Sequence, residues 1–170
     1  MPKQPLIIVG VSGAGKSTLA QKLAQEFGLK IIDVFEYAKP YIEKHGSAKV
    51  KGNLLKRAYE DLIKDLPNLN FDILEIASDW PDEFLPKIIN RIKKEPILVL
   101  VYSPLDICLS RNTQRNRQVP KEIVREQANF TPSFYNALAQ KLDMEFKIVN
   151  SRGSVLKSYQ SLKNVLRLKK

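Results

Sequence analysis

A chain of 170 residues, 44% of them hydrophobic, is long enough to bury a core and reads as one domain, 1–170; its longest apolar run, Pro96-Ile97-Leu98-Val99-Leu100-Val101-Tyr102, is strand-sized and excludes a membrane-spanning helix. Cys108 is the only cysteine, which excludes an internal disulfide, and the first residues lack the apolar core and cleavage site of a secretory leader, so the expected setting is the reducing cytoplasm. The formal charge of +10 is unevenly placed: residues 1–100 hold 15 Lys+Arg against 13 Asp+Glu, and residues 101–170 hold 13 against 5. That basic second part can neutralise a nucleic acid, or solvate the surface and serve a nucleotide's phosphates; composition leaves both open.

Alternating apolar runs and helical patterns predict βαβ units. Strands are expected near 5–10, 29–33, 71–77, 96–102 and 145–150. Helices are expected near 15–27, 34–46, 50–66, 80–94, 104–115, 120–141 with a break at Pro132, and 153–168. Five such strands make a three-layer α/β/α sandwich with a five-stranded parallel sheet, in which ligands bind beyond the carboxyl ends of the strands. Residues just after each strand are therefore the candidates for chemistry.

The first strand, Leu6-Ile7-Ile8-Val9, runs into Gly10-Val11-Ser12-Gly13-Ala14-Gly15-Lys16-Ser17-Thr18, which fits G-x-x-x-x-G-K-[ST]. Leu19, Ala20, Leu23, Ala24 and Phe27 then recur at helical spacing, so the context is strand, glycine loop, helix. Such a loop aims successive N–H groups at a phosphate, and the following helix adds its positive end. Gly10, Ser12, Gly13, Ala14, Gly15, Lys16, Ser17 and Thr18 are the expected nucleotide-binding residues. Lys16 reaches the β- and γ-phosphates and the Ser17 hydroxyl ligates Mg²⁺. The alternative, a glycine-rich turn with no ligand, leaves this residue pattern without a purpose. The guanine-selecting Asn-Lys-x-Asp motif is absent, which favours adenine, so the expected cofactors are ATP and Mg²⁺.

Further along, Gly28 suits a helix C-cap and His45-Gly46 ends the next helix; a lone histidine without a cysteine cluster is not a metal site. Asp33 stands at the end of the second strand, facing the phosphate loop. It can deprotonate an acceptor hydroxyl for attack on the γ-phosphate, or it can cap the next helix in a box with Glu36. The helical segment 34–67 falls on the acceptor side. Glu75 interrupts the apolar third strand, where it serves Mg²⁺ or the acceptor, or else faces solvent at a sheet edge. Ser78 and Asp79 read as caps for the helix that opens at Trp80-Pro81. The fourth strand carries no acid, unlike the Asp-Glu ending of a motor-type ATPase, which points to transfer onto a bound acceptor. Cys108, beside Leu105 and Leu109, reads as an inert buried thiol. Arg111, Arg115 and Arg117 are expected in a lid, 111–121, with Arg111 and Arg115 on one helical face, although a solvated face or an RNA contact uses the same residues. Val155, Tyr159, Leu162 and Leu166 form an apolar stripe on the last helix.

These residues resemble the P-loop kinase group that includes the kinase domain of polynucleotide kinases and the zeta-toxin-like and gluconate-kinase-like enzymes. The loop GVSGAGKST resembles those of small-metabolite kinases, and VYSPLDICLSRNTQRNRQVP resembles the group's fourth strand, helix and arginine lid. The run from Glu122 through Phe130-Thr131-Pro132 is similar to the helix after the lid and its terminating proline. The resemblance implies Lys16 and Ser17 for triphosphate and Mg²⁺, Asp33 as catalytic base, and Arg111, Arg115 and Arg117 as lid residues. It differs after Asp33, where Val-Phe-Glu replaces the second acid and nearby arginine of polynucleotide kinases, and at Glu75, where an aspartate is common. The function expected is phosphorylation of a hydroxyl on a small acceptor, nucleoside or sugar-like. The alternatives are a polynucleotide 5′-hydroxyl kinase and a nucleotide-binding regulatory protein without transfer. Oligomeric state is not written in the sequence.

Overall fold

The computed structural model describes residues 4–46, 52–116 and 118–168. In chain order the elements are β1 (Leu6–Gly10), α1 (Lys16–Phe27), β2 (Ile31–Asp33), α2 (Val34–His45), α3 (Asn53–Asp65), β3 (Ile73–Ala77), α4 (Pro81–Arg91), β4 (Ile97–Tyr102), α5 (Leu105–Thr113), α6 (Lys121–Ala128), α7 (Pro132–Lys141), β5 (Phe146–Asn150) and α8 (Val155–Val165). The strands form one parallel sheet in the order β2-β3-β1-β4-β5. The expected α/β sandwich is what the chain forms.

Strand periodicity splits the core in two. Ile7, Val9, Leu74, Ile76, Leu98 and Leu100 pack against α3, α4 and α7 through Tyr59, Leu62, Phe84, Ile88, Tyr135 and Leu138. Leu6, Ile8, Ile73, Val99, Val101 and Val149 face α1, α5, α6 and α8 through Leu19, Leu23, Cys108, Val124 and Leu162. With both faces covered, the central strands are runs of apolar residues, and Glu75 on β3 is the charged exception. The crossing from β1 out to β2 places α1 on one face, and the return crossings to β3 and β4 place α3 and α4 on the other, as uniformly right-handed connections require. The direction reverses at β1 and β3, whose carboxyl ends open the crevice where such sheets hold ligands.

Several boundaries differ from the sequence expectation. The break expected at Pro132 is there and divides 120–141 into two helices, but α6 already stops at Ala128, Thr131 accepts from the Phe134 N–H at 3.4 Å, and Pro132 opens α7 rather than closing α6. α4 ends at Arg91, three residues short of expectation. α5 ends at Thr113, so Arg115 lies beyond it and not on one helical face with Arg111. The cause is a clip: the Asn112 carboxamide accepts from the Val119 N–H at 3.0 Å and donates to its carbonyl at 2.7 Å, folding the chain back after α5. Tyr159 and Leu162 on α8 and Leu166 at its C-cap are buried, but Val155, in the first turn, is 46% exposed. Gly28 and Gly46 cap α1 and α2 as expected. Arg117, and residues 50 and 51 of the third expected helix, lie outside the described residues.

Candidate active site

The phosphate loop is wedged between neighbours. Gly10 has φ 151° and a Cβ there would run into the Val101 carbonyl on β4; Gly13 has φ 90° and a Cβ there would run into the Cys108 carbonyl on α5. The loop is closed by the Ala14 N–H to the Val11 carbonyl at 3.0 Å. At the start of α1 there is no side-chain cap and no acid in the first turn, so its N–H groups and dipole are left for an anionic ligand.

Lys16 is 7% exposed and its ammonium donates to the Val11 carbonyl at 3.2 Å. Burial pulls its pKa down, against the carboxylates of Glu75 and Asp33, which hold it up. The Ser17 hydroxyl donates to Glu75 Oε1 at 2.6 Å. Glu75 pairs in register with Ile8 on one side and Asp33 on the other, and is 6% exposed, so the solvent-edge alternative is excluded. Burial pushes its carboxyl pKa up, opposed by Lys16. A serine hydroxyl and a carboxylate are the hard oxygen donors that Mg²⁺ takes, so this pair fits that cation.

That raised pKa sets a pH dependence. A carboxyl that holds its proton better in the folded than in the unfolded chain adds stability as pH falls through its folded value. The ligand-free protein is therefore expected to be less stable than Glu75→Gln at pH 8, with the gap closing towards pH 4–5, roughly the ordinary carboxylate range. Urea midpoints of the two proteins across this range measure it. A gap that widens on acidification means that Lys16 holds Glu75 ionised.

Asp33 sits at the end of β2, and its Oδ1 accepts from the Phe35 N–H at 2.9 Å, the second residue of α2. It caps α2 through that N–H rather than through the N–H of Glu36. It also lines the cleft together with Lys16, so the cap and the cleft position coexist.

Asp79 is not the helix cap expected of it. The chain enters α4 through Trp80 in the left-handed conformation, φ 44° and ψ 56°, with no side-chain cap. That turn leaves Asp79 bonded away from α4. Its Oδ1 accepts from Gln127 Nε2 at 2.8 Å, its Oδ2 accepts from the Tyr59 hydroxyl at 3.3 Å, and burial raises its pKa. Gln127 Oε1 in turn accepts from the Ser12 N–H at 2.8 Å, so one carboxamide joins the phosphate loop to Asp79. Ser78, the other expected cap, shares a 2.7 Å bond with the Tyr135 hydroxyl. Gln127 was legible as a polar residue on the buried stripe of α6, three positions after Val124. Tyr59 and Ser151 carried no local signal.

The arginines separate. Arg111 Nη2 donates to the carbonyls of Ser151 at 2.8 Å and Gly153 at 3.4 Å, and the Ser151 hydroxyl donates to the Ala14 carbonyl, pinning the loop after β5 to the phosphate loop. Arg115 is half-buried and, with Lys16, lines two adjoining clefts. One is lined by the phosphate loop, Arg111 and Ser158. The other, about 870 Å³ and open to solvent, is lined by Asp33, Glu75 and Asp79 and by apolar residues of α2, α3 and the segment 119–123. Among the described residues no helix is long and apolar enough to cross a membrane.

Among known proteins, no family model and no curated sequence matches the chain. Solved structures do. Shikimate kinase from Bacteroides thetaiotaomicron superposes with a TM-score of 0.69 at 15% identity, over 97% of this chain and 99% of that one. A gluconokinase from Sinorhizobium meliloti gives 0.69 at 13%, over 97% and 93%. Deoxyadenosine kinase from M. mycoides, with bound dATP, gives 0.63 at 16%, over 96% and 100%. Identities this low speak to architecture: the chain has the α/β P-loop NTPase fold that these kinases share.

Proposed function

We propose that the chain is an ATP- and Mg²⁺-dependent phosphotransferase that moves the γ-phosphate to a hydroxyl of a small acceptor. The observation that carries this reading is the pair of clefts meeting at Lys16 and Arg115, with Asp33 lining only the second. The first is the ATP side and the second the acceptor side, bounded by α2 and α3 of the segment proposed for the acceptor, 34–67, and by Arg115, Gln118, Val119 and Pro120 of the proposed lid, 111–121. The kinases of similar fold, named for shikimate, gluconate and deoxyadenosine, support a small acceptor. Grouping with the polynucleotide-kinase and zeta-toxin-like enzymes rests on the segment 98–120 and its arginines.

In this reading Asp33 Oδ2 orients the acceptor hydroxyl and takes its proton as oxygen bonds to the γ-phosphorus and the bond to the bridging oxygen breaks, releasing ADP. Lys16 and Arg115 offset charge on the phosphoryl oxygens, and the loop N–H groups hold the phosphates in line. Ser17, with Glu75 behind it, would hold Mg²⁺, and the cation would supply positive charge against the phosphate oxygens. Incubation with γ-labelled ATP and pooled nucleosides, neutral sugars and 5′-hydroxyl oligonucleotides tests the reading. Label is expected in a small acceptor. Label in the oligonucleotide alone, falling steeply with salt, establishes the polynucleotide kinase instead. Bound ATP with no transfer establishes a regulatory binder.

Among the arginines, Arg115→Ala is expected to lower kcat by about 10²-fold or more while raising the KM for ATP far less, since its contacts tighten as charge develops. Arg115→Lys rescues only in part, because the planar fork is lost. Steady-state kinetics decide. An unchanged kcat removes Arg115 from the reaction.

A further inference from the structure

The acceptor cleft has a charge pattern that selects among alcohols. Its cations among the described residues are Lys16 and Arg115, and both also line the ATP side, where triphosphate would engage them. Its carboxylates are Asp33, Glu75 and Asp79. Asp33 is placed for the hydroxyl, and Glu75 is bonded to Ser17. Asp79 remains without a role in the transfer.

Gln127 holds Asp79 Oδ1, the Tyr59 hydroxyl shares its one proton between Asp79 Oδ2 at 3.3 Å and the Ala77 carbonyl at 3.2 Å, and no described lysine or arginine pairs with Asp79. An ionised carboxylate has about four acceptor positions, so roughly two are left unfilled at a residue that lines the cleft. A largely buried carboxylate in that state is costly unless a ligand supplies donors. The rest of the lining is largely apolar: Phe35, Ala38 and Ile42 from α2, Leu55 from α3, and Pro120 and Ile123 at the start of α6. Such a lining favours a flat ring over a fully hydrated polyol. A hydroxy acid would bring a further negative charge among three carboxylates, with no described cation to spare for it.

Resting on the phosphotransferase reading, we infer that the acceptor is nucleoside-like: an alcohol without an acidic group, whose ring lies against the apolar lining and whose amino or ring N–H groups donate to Asp79. The fold is shared with kinases named for shikimate and gluconate, and the cleft points away from acids of that kind.

Calorimetry on the full chain, saturated with a non-hydrolysable ATP analogue, compares adenosine, guanosine, cytidine, uridine, glucose and gluconate. At least one nucleoside is expected to bind ten times more tightly than glucose or gluconate. Asp79→Asn, whose amide oxygen can still accept from Gln127 while its NH₂ donates to the Tyr59 hydroxyl, which then gives its proton to the Ala77 carbonyl, is expected to weaken that nucleoside about tenfold, the loss of a hydrogen bond to a charged group. Gluconate or glucose binding as tightly as any nucleoside overturns the inference. So does undiminished nucleoside affinity in folded Asp79→Asn. If that variant fails to fold, the ranking of the six ligands on the unaltered protein decides alone. Label transfer is read in parallel with ATP. Transfer to gluconate sinks the nucleoside assignment and keeps the phosphotransferase; a nucleoside that binds by these criteria but is never labelled keeps the binding assignment and sinks the phosphotransferase.

Discussion

Lys16→Ala is expected to lower phosphoryl transfer by at least about 10²–10³-fold, the loss seen when one donor to a developing oxyanion is removed, and more because a full charge goes with it. The lysine is buried in the loop that is placed to hold the phosphates, and no neutral side chain supplies a point charge there. The fold is expected to survive. The ammonium makes one bond, to the Val11 carbonyl, and sits where burial already disfavours its charge. Melting close to that of the unaltered protein, with transfer lost, is the expected pair of results. Undiminished transfer in a folded Lys16→Ala protein would end the phosphotransferase reading.

The phosphate loop was legible because strand, glycines, lysine and helix are contiguous, and local backbone geometry alone dictates that order. Asp79 was not. Ser78-Asp79 before Trp80-Pro81 follows the local grammar of a helix cap, and only Trp80 turning left-handed reveals that the carboxylate faces elsewhere. Its partners, Gln127 and Tyr59, lie 48 and 20 residues away, beyond the reach of any local pattern. Glu75 is a case between the two: the sequence marks a charge in an apolar strand, but whether it faces solvent depends on strand order, and the sheet places β3 inside. Arg115 leaves the helix for a similar reason, since the Asn112 clip to Val119 spans seven residues and interrupts the helical period.

At Asp33 the two roles come apart on substitution. Asn keeps the ability to accept from the Phe35 N–H, and a cap replaced by another good cap changes stability by well under the ~1 kcal/mol that losing it costs. Basicity is gone, however, and general-base catalysis is worth about 10²–10⁴-fold. Asp33→Asn is therefore expected to melt near the unaltered protein while turnover falls at least about a hundredfold. Differential scanning calorimetry and label transfer on the same preparation give both numbers. Turnover within a fewfold of normal means that Asp33 serves α2 alone.

The two missing side chains at Gly10 and Gly13 have a thermodynamic consequence. Because β4 and α5 press their carbonyl oxygens into those spaces, the loop has little freedom to surrender when a triphosphate arrives. Fixing six backbone residues from a disordered state costs on the order of 6–12 kcal/mol, and here that ordering is completed during folding, leaving the phosphate contacts to appear as affinity. The same contact makes α5 a gauge: the helix that carries Arg111 is seated on the loop by a carbonyl resting where a methyl would be. Loop and helix, about a hundred residues apart in the chain, are thus in direct backbone contact, and a side chain added at Gly13 would have to move both.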